Sequence, residues 1–224
     1  MNRMLDDILQ NDSVLLIDKP AGITSFGVVA RVRRRLSEQL GKKAKVGHAG
    51  TLDPFATGLM IIMTGKMCRE AMQYSKLDKE YEATIRLGQT SSTGDPEGEV
   101  TDVSDRQPTR EEVEAALEPF RGEITQKPPA FSAIKINGQR AYKLARLGVE
   151  VDVPERQVTI YSLELIEYAY PEVRIRTHVS SGTYIRTLAE DIGKKLETGA
   201  YCTQLRRTKV GDMRIEDAVP IAKD

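Results

Sequence analysis

The sequence predicts a mixed α/β (α+β) fold in which helices flank a mixed, mainly antiparallel sheet. Three observations carry this prediction: short apolar or alternating strand patterns occur along the whole chain, amphipathic helix patterns lie between them, and hairpin-type turns join several strands. The 224 residues suffice for one substantial core. We therefore expect one domain, residues 1–224, with a single insertion.

The first half of the chain alternates between strands and helices. The predicted elements are a strand at 13–17, a helix capped by Thr24 or Ser25 and ending at Leu40, a buried strand at 59–63, a helix capped by Thr64 and ending near Ser75, a strand at 79–87, and a helix from the Thr109 capping box to about Phe120. In the strand at 79–87, Tyr81 shares one face with apolar residues.

The second half contains the insertion, residues 123–150, which we call the thumb. It combines Pro128-Pro129, an Asn137-Gly138 hairpin signal and a short helical stretch that ends at Gly148. The remaining predicted elements are paired strands at 158–165 and 173–179, a helix at 183–196 and two last strands at 202–205 and 210–215. A basic hairpin and helix inserted between core elements is suited to act as a movable clamp on a ligand.

Composition excludes several functional classes. Hydrophobic residues make up 40% and charged residues 29%, as in a globular protein, and the longest apolar run, residues 59–63, is too short to span a bilayer. The N-terminus lacks a signal-peptide pattern, so a cytoplasmic location is expected. Two distant cysteines and two histidines show no metal-ligand spacing, and no phosphate-binding glycine loop occurs. We expect no metal and no cofactor.

The charges are unevenly distributed although their formal sum is zero. Seven basic residues and one acid lie between Arg31 and Lys45, and five basic residues and no acid lie between Lys127 and Arg146. This asymmetry favours one basic face for a polyanion such as RNA. The alternative is that these runs are solvated helix faces. The candidate RNA-binding residues are Arg33 and Arg34 in the first run and Lys135, Arg140 and Lys143 in the second.

The segment Gly47–Gly58, here called the Asp53 loop, is the most informative part of the chain. Its three glycines and Pro54 specify a compact backbone around His48 and Asp53. A loop of fixed shape that carries titratable side chains is a candidate site. An Asp-Pro pair taken alone is typical of an ordinary turn, so the longer pattern has to decide between the two interpretations.

The Asp53 loop resembles the catalytic loop of the TruB-type tRNA pseudouridine synthases, whose pattern is Gly-His-x-Gly-x-Leu-Asp-Pro-x-Ala-x-Gly. Four further segments are similar to motifs of the same family, in the same order: residues 16–25 around Asp18-Lys19-Pro20, residues 79–88 around Tyr81, residues 181–188 around Arg186, and residues 205–208 with Leu205-Arg206-Arg207. The resemblance covers most of the chain and implies the pseudouridine synthase fold.

The resemblance also implies a function and a set of site residues. It implies isomerisation of uridine to pseudouridine at position 55 in the T loop of tRNA, with Asp53 as the essential carboxylate, Arg186 as its partner and Tyr81 stacked on the uracil with its hydroxyl available for proton transfer. His48 would contact the RNA and hold the target nucleotide out of its stack. The remaining implied residues are Lys19, Tyr184 and Leu205 at the pocket and Arg206 in RNA binding.

Two departures from the family pattern limit the comparison. Ser92 stands in the turn at 91–95 where the family often carries an acid, so the contact of that acid either falls to Asp95 or is absent. Many bacterial relatives continue into a C-terminal PUA-like RNA-binding module, and we expect none here. We expect a monomer that binds the T arm of tRNA and has no obligatory protein partner. The alternatives are an RNA-guided synthase of the box H/ACA type and a non-catalytic tRNA-binding or folding protein.

Overall fold

The computed structural model describes residues 3–132, 134–136, 138–149 and 151–222. The chain divides into two compact units. Unit 1 contains the described residues up to Tyr81 together with those from Arg206 onward, and unit 2 contains the described residues between Glu82 and Leu205. These units are compact parts of the chain and do not test whether it folds as one domain, so the single domain stays a prediction.

Helices and strands alternate along both units. The α-helices of the described residues are α1 (Arg3–Ile8), α2 (Ser25–Leu40), α3 (Ala71–Ser75), α4 (Arg110–Leu117), α5 (Ala141–Arg146) and α6 (Ile185–Lys195). The strands are β1 (Val14–Lys19), β2 (Val46–Ala49), β3 (Thr57–Thr64), β4 (Lys79–Leu87), β5 (Gln89–Ser91), β6 (Val100–Asp102), β7 (Gly122–Gln126), β8 (Lys135–Ile136), β9 (Gln139–Arg140), β10 (Arg156–Ala169), β11 (Glu172–Val179), β12 (Ala200–Val210), β13 (Met213–Arg214) and β14 (Val219–Pro220).

Unit 1 is built around the fully buried strand β3. Strand β1 pairs with β3 antiparallel, from Val14 opposite Met63 to Lys19 opposite Gly58, and β2 pairs with β3 antiparallel on residues 46–49. Arg206 and Arg207 of β12 pair with the start of β3 in parallel. Helix α2 buries Val28, Val29, Val32 and Leu36, so its apolar stripe faces the core.

Unit 2 is built around the long strand β10. Strand β11 pairs with one edge of β10 and β7 with the other, both antiparallel. Two small hairpins, β5–β6 and β8–β9, accompany these strands. Helix α6 buries one face, including Ile185, Leu188 and Ile192.

The predicted fold class is confirmed, because the strand pairings are mainly antiparallel and helices accompany the strands in both units. The Thr109 capping box forms with both of its hydrogen bonds, and Thr24 caps α2 by accepting from the Gly27 N–H at 2.9 Å. The thumb contains β8, β9 and α5 as predicted. Asn137 and Glu150, within its predicted hairpin and at its predicted end, lie outside the described residues.

Three details of the prediction are wrong. The Thr64 side chain makes no cap bond, because its oxygen accepts from the Ser13 N–H at 2.9 Å while its hydroxyl donates to the Gln10 carbonyl at 2.7 Å, and a 3-10 helix at Gly65–Glu70 precedes α3. The gap predicted between the strands at 202–205 and 210–215 does not exist, because β12 runs through it to Val210. Only the short β13 follows β12 in place of the second predicted strand. The helical spacing of Val28, Val32, Leu36 and Leu40 also predicts a buried Leu40, which is 37% exposed at the end of α2. No helix in the described part of the chain is long and apolar enough to cross a membrane.

Candidate active site

The Asp53 loop connects β2 to β3 in unit 1. Gly50 has φ +76°, a conformation that favours glycine, and the Ala56 N–H donates to the Asp53 carbonyl at 3.2 Å. The Pro54 carbonyl accepts from the Gly22 N–H at 2.8 Å. The Asp53 side chain is half-buried. The loop therefore holds its carboxylate on a backbone that is hydrogen-bonded locally and to the turn after β1.

The buried side chain of Lys19 holds the Asp53 loop through hydrogen bonds to its backbone and to the turn after β1. Its side chain is fully buried, and its Nζ donates to the carbonyls of Pro20, Ile23 and Pro54 at 2.9, 2.8 and 3.2 Å. A buried ammonium needs several acceptors to offset its lost hydration. The contacts of Lys19 thus join the turn after β1 to the residue that follows Asp53.

Ser25 holds the other side of Asp53. Its buried hydroxyl donates to the Leu52 carbonyl and accepts from the Leu52 N–H, each at 2.8 Å. Ser25 is the first residue of α2, so this pair of bonds ties the start of a long helix to the residue before Asp53. The two neighbours of Asp53 are therefore each bonded to a buried side chain.

Arg207 bonds to the backbone before and after Asp53, at Gly50 within the loop and at Leu59 directly after it. Its side chain is 1% exposed, its Nε donates to the Leu59 carbonyl at 2.8 Å, and its Nη2 donates to the Gly50 carbonyl at 3.2 Å. Gly58 has φ +107°, and a Cβ there would collide with the Arg207 carbonyl oxygen. The glycine is thus required for β12 to approach β3 this closely. Sequence reasoning identified the Leu-Arg-Arg signature but gave Arg207 no role.

Arg186 is the centre of a second polar group, in unit 2. Its side chain is buried, Nη1 donates to the Thr93 carbonyl at 2.6 Å and Nη2 to the Phe131 carbonyl at 2.7 Å. The Asp95 carboxylate, also buried, lies 3.4 Å from Nη1. Asp95 is itself held by the Thr93 hydroxyl at 2.6 Å and the Glu97 N–H at 3.0 Å. Asp95, in the turn that contains Ser92, thus places a buried carboxylate beside Arg186.

Glu190 lies one helical turn beyond Arg186 on α6. Burial raises the pKa of the Glu190 carboxyl, while the positive charges of Lys194 and Arg186 oppose that rise. Gly94 has φ +72°, and a Cβ there would collide with a Glu190 carboxylate oxygen. The turn at 92–95 therefore packs closely on α6. Sequence reasoning did not single out Glu190, because an acid four residues after an arginine on a helix is typical of an exposed pair.

Gln126 fixes the start of α6. Its side chain is 1% exposed, its Nε2 donates to the Tyr184 carbonyl at 3.0 Å, and its Oε1 accepts from the Tyr184 N–H at 2.7 Å. The side-chain amide thus bonds both backbone groups of Tyr184, as a neighbouring strand would. The Tyr184 ring is half-buried and lies under the Arg156 guanidinium, with 4.7 Å between Cζ and the ring centroid. Gln126 was missed because a single glutamine at a strand end carries no sequence signal.

The other predicted pocket residues divide between the units. In unit 1, Tyr81 is 8% exposed on β4, and His48 is half-buried on β2. In unit 2, Leu205 is 8% exposed on β12. Each unit thus carries part of the predicted site: Lys19, His48, Asp53 and Tyr81 in unit 1, and Tyr184, Arg186 and Leu205 in unit 2. Their roles stay predictions.

The predicted RNA-binding residues differ in their surroundings. Arg34, Lys135, Arg140 and Lys143 have exposed side chains. Arg33 is half-buried and donates to the Val46 carbonyl at 3.1 Å. Arg206 forms a bidentate ion pair with Asp18 at 2.8 and 3.1 Å. Among the described residues no group of three or more metal-ligating side chains comes together.

Comparison with known proteins identifies the family. The profile of the TruB family pseudouridylate synthase N-terminal domain matches residues 34–185, and that of the tRNA pseudouridylate synthase B C-terminal domain matches residues 186–223. A protein named tRNA pseudouridine synthase B from Phocaeicola vulgatus is 49% identical over 210 residues, 93% of this chain and 89% of its own length. Its namesake from Bacteroides thetaiotaomicron is 49% identical over 212 residues, 92% of this chain and 88% of its own.

A solved structure shares the fold. The chain matches one in the crystal structure of a Cbf5-Nop10-Gar1 complex with a TM-score of 0.71 and 29% identity, over 97% of this chain and 54% of that one. The present chain thus spans about half the length of that solved chain. Both profiles and both relatives carry the name of a pseudouridylate or pseudouridine synthase, which defines the class as an RNA-modifying isomerase. Within that class, the chain belongs to the TruB family of pseudouridylate synthases.

Proposed function

We propose that the protein isomerises uridine to pseudouridine at position 55, in the T loop of tRNA, with Asp53 as the essential carboxylate and without a cofactor. The observation that carries the proposal is the support of the Asp53 loop: buried Lys19, Ser25 and Arg207 all bond to backbone groups on either side of Asp53. An ordinary turn does not need such support. Buried bonds on both sides of one side chain are typical of a site where a reacting group is held in place before the substrate binds.

The reaction needs no external group. It breaks the bond between ribose C1′ and uracil N1, turns the base, and joins C1′ to C5, while the C5 proton is lost and the detached ring nitrogen gains a proton. Atoms and electrons balance within the nucleotide, so a positioned carboxylate is a sufficient nucleophile or base. Three paths are compatible with Asp53: attack on the ribose, attack on uracil C6, and deprotonation at C2′.

The other site residues receive roles from the family motifs. Arg186 orients Asp53, and it is suited to do so because its guanidinium stays charged and binds a carboxylate through two parallel bonds. Tyr81 stacks on the uracil and offers its hydroxyl for proton transfer. His48 contacts the RNA beside the extruded nucleotide, whose extrusion costs a few kcal/mol. Lys19, Tyr184 and Leu205 shape the pocket around these groups.

Binding of the T arm rests on the exposed basic residues of α2 and the thumb. In the proposal the thumb folds over the RNA, and Arg206 adds a contact near the C-terminal strand. The protein acts as a cytoplasmic monomer without an obligatory protein partner. The identity of 49% to proteins named tRNA pseudouridine synthase B favours this over an RNA-guided synthase, since the Cbf5-containing structure is 29% identical.

The test is incubation of the purified protein with an unmodified tRNA transcript, followed by chemical labelling that maps pseudouridine. We expect one modified position, uridine 55, without any guide RNA or added protein. A transcript with cytidine at that position is the matched control and should stay unmodified. Pseudouridine elsewhere in the transcript would contradict the site assignment. Tight tRNA binding without any pseudouridine would favour the non-catalytic alternative.

A further inference from the structure

Phe26 is an exposed aromatic residue directly beside the Asp53 loop. Its side chain is 65% exposed on the second residue of α2. Its chain neighbour Ser25 bonds to Leu52, the neighbour of Asp53. These links keep the Cα atoms of Phe26 and Asp53 within about 14 Å of each other by chain geometry. The described contacts of unit 1 thus tie the helix residue that carries an open aromatic ring to the loop of the proposed reaction site.

A positive charge stands against that ring. The Cζ of Arg33 lies 5.8 Å from the centroid of the Phe26 ring, within the range of a cation–π contact. Arg33 is also fixed at its far end, because its Nη2 donates to the Val46 carbonyl. The guanidinium therefore borders the ring while the ring keeps most of its surface open to solvent. Arg34, next on the same helix, has an exposed side chain.

We propose that Phe26 and Arg33 form a stacking site for an unpaired RNA base close to the uridine that is isomerised. This inference rests on the proposed function, since it takes RNA as the substrate. Proteins that bind single-stranded nucleic acid combine exposed aromatic rings with basic side chains along the backbone path, and each stacked base contributes a substantial part of the affinity. Extrusion of the target uridine takes stacking away from its neighbours, and the Phe26 ring replaces it.

The charges around Phe26 favour RNA over a protein partner. The segment from Arg31 to Lys45 carries seven basic residues and one acid. An apolar protein surface laid on Phe26 would desolvate several of these cations without supplying counter-charges, whereas RNA brings a phosphate with every base. The ring would take any base, because every base has a flat π face.

The first experiment is optical and independent of catalysis. The sequence contains no tryptophan, so Phe26→Trp creates a protein with a single fluorescent indole. We expect its emission to fall strongly when unmodified tRNA is added, because a base stacks on the indole. Met72→Trp is the matched control, since Met72 is 70% exposed on α3 of the same unit. Equal responses of the two variants, or no response of Phe26→Trp to bound tRNA, would overturn the stacking site.

The second experiment separates stacking from charge. Phe26→Ala, a change that a helix tolerates, should weaken tRNA binding about 5- to 150-fold and leave the dependence of log K on log salt unchanged. Phe26→Tyr should restore binding, and Arg34→Gln should instead flatten the salt dependence. Wild-type affinity of Phe26→Ala in an enzyme that forms pseudouridine would reject the stacking site alone. Quenching in a protein that forms no pseudouridine would reject the proposed function alone.

Discussion

The Asp53 loop and the thumb are both predicted to meet RNA, but the chain holds them in different ways. Around the Asp53 loop, the buried side chains of Lys19, Ser25 and Arg207 donate hydrogen bonds to backbone carbonyls. In the thumb, the basic side chains at positions 135, 140, 143 and 146 are exposed. Polar groups bonded inward fix a reacting group in place, whereas cations directed to solvent are available to phosphates. The two regions therefore separate positioning from capture.

The base of the thumb belongs to the positioning side of this contrast. Gln126 bonds both backbone groups of Tyr184, and the Phe131 carbonyl accepts from Arg186. Ser132, next along the chain, is 5% exposed. The inward bonds of the thumb thus involve Gln126 and Phe131, whereas the four exposed basic residues named above lie from position 135 onward.

After the loss of the Asp53 carboxylate itself, the largest fall in kcat is expected from Arg186→Lys. A lysine ammonium cannot donate to the carbonyls of Thr93 and Phe131 and face Asp95 in one planar arrangement, so the charge moves away from its proposed place beside Asp53. Loss of one charge-assisted bond, about 1.5 to 3 kcal/mol, corresponds to a roughly 10- to 150-fold fall in kcat. Single-turnover kinetics on tRNA measure it. Arg174→Lys, an exposed arginine of the same unit, is the control, and a wild-type rate for Arg186→Lys would contradict the role.

Arg207→Met tests whether the Asp53 loop depends on its inward bonds. The change removes a donor from the carbonyl of the buried Leu59, at about 1 to 3 kcal/mol, and a second donor from the half-buried Gly50, where the cost is smaller. Arg206→Met is the matched control, because its partly exposed ion pair with Asp18 is worth at most about 1 kcal/mol. The free energy of unfolding measured in urea and the kcat should both fall more for Arg207→Met than for Arg206→Met. Equal losses in the two variants would mean that the buried arginine has no special part in holding the loop.

Neutralising the thumb should act on capture rather than on positioning. The triple change of Lys135, Arg140 and Lys143 to Gln should weaken tRNA binding and reduce the slope of log K against log salt by about 0.7 to 0.9 for each lost phosphate contact. The kcat at saturating tRNA should change less than in Arg186→Lys. Dissociation constants at several salt concentrations provide the measurement. Identical slopes for wild type and variant would make these residues an ordinary solvated surface.

The last effect concerns stability alone and a third buried cation of unit 1, Lys79. Burial, followed by the positive charge of Arg207, lowers the pKa of Lys79 from 10.5 to about 8. The folded protein therefore releases this proton at lower pH than the unfolded chain does, so Lys79 is unfavourable to folding below pH 8 and this cost disappears as the pH rises toward 10.5. The free energy of unfolding of wild type relative to Lys79→Met should rise over that window. A constant difference would contradict the lowered pKa.

The sequence predicts the local elements of the protein better than the long-range contacts that hold these elements together. The Asp53 loop, the Thr24 cap and the buried stripe of α2 follow from glycine, capping and periodicity rules that act over a few residues. The inward bonds of Arg207 and Gln126 join positions that are distant in sequence, namely Arg207 with Gly50 and Gln126 with Tyr184. Local patterns carry no information about such pairs. Thr64 illustrates the same limit, since its oxygen accepts from the distant Ser13 N–H instead of from the helix N–H that a local rule assigns to it.

The central claim is that a carboxylate on a rigidly held loop performs the isomerisation. The most direct measurement compares wild type and Asp53→Asn for pseudouridine formed at position 55 of an unmodified tRNA transcript, together with tRNA affinity and melting temperature. The amide is nearly isosteric with the carboxylate, so we expect no detectable product, with affinity and melting temperature close to those of wild type. Substantial turnover by Asp53→Asn would contradict the claim.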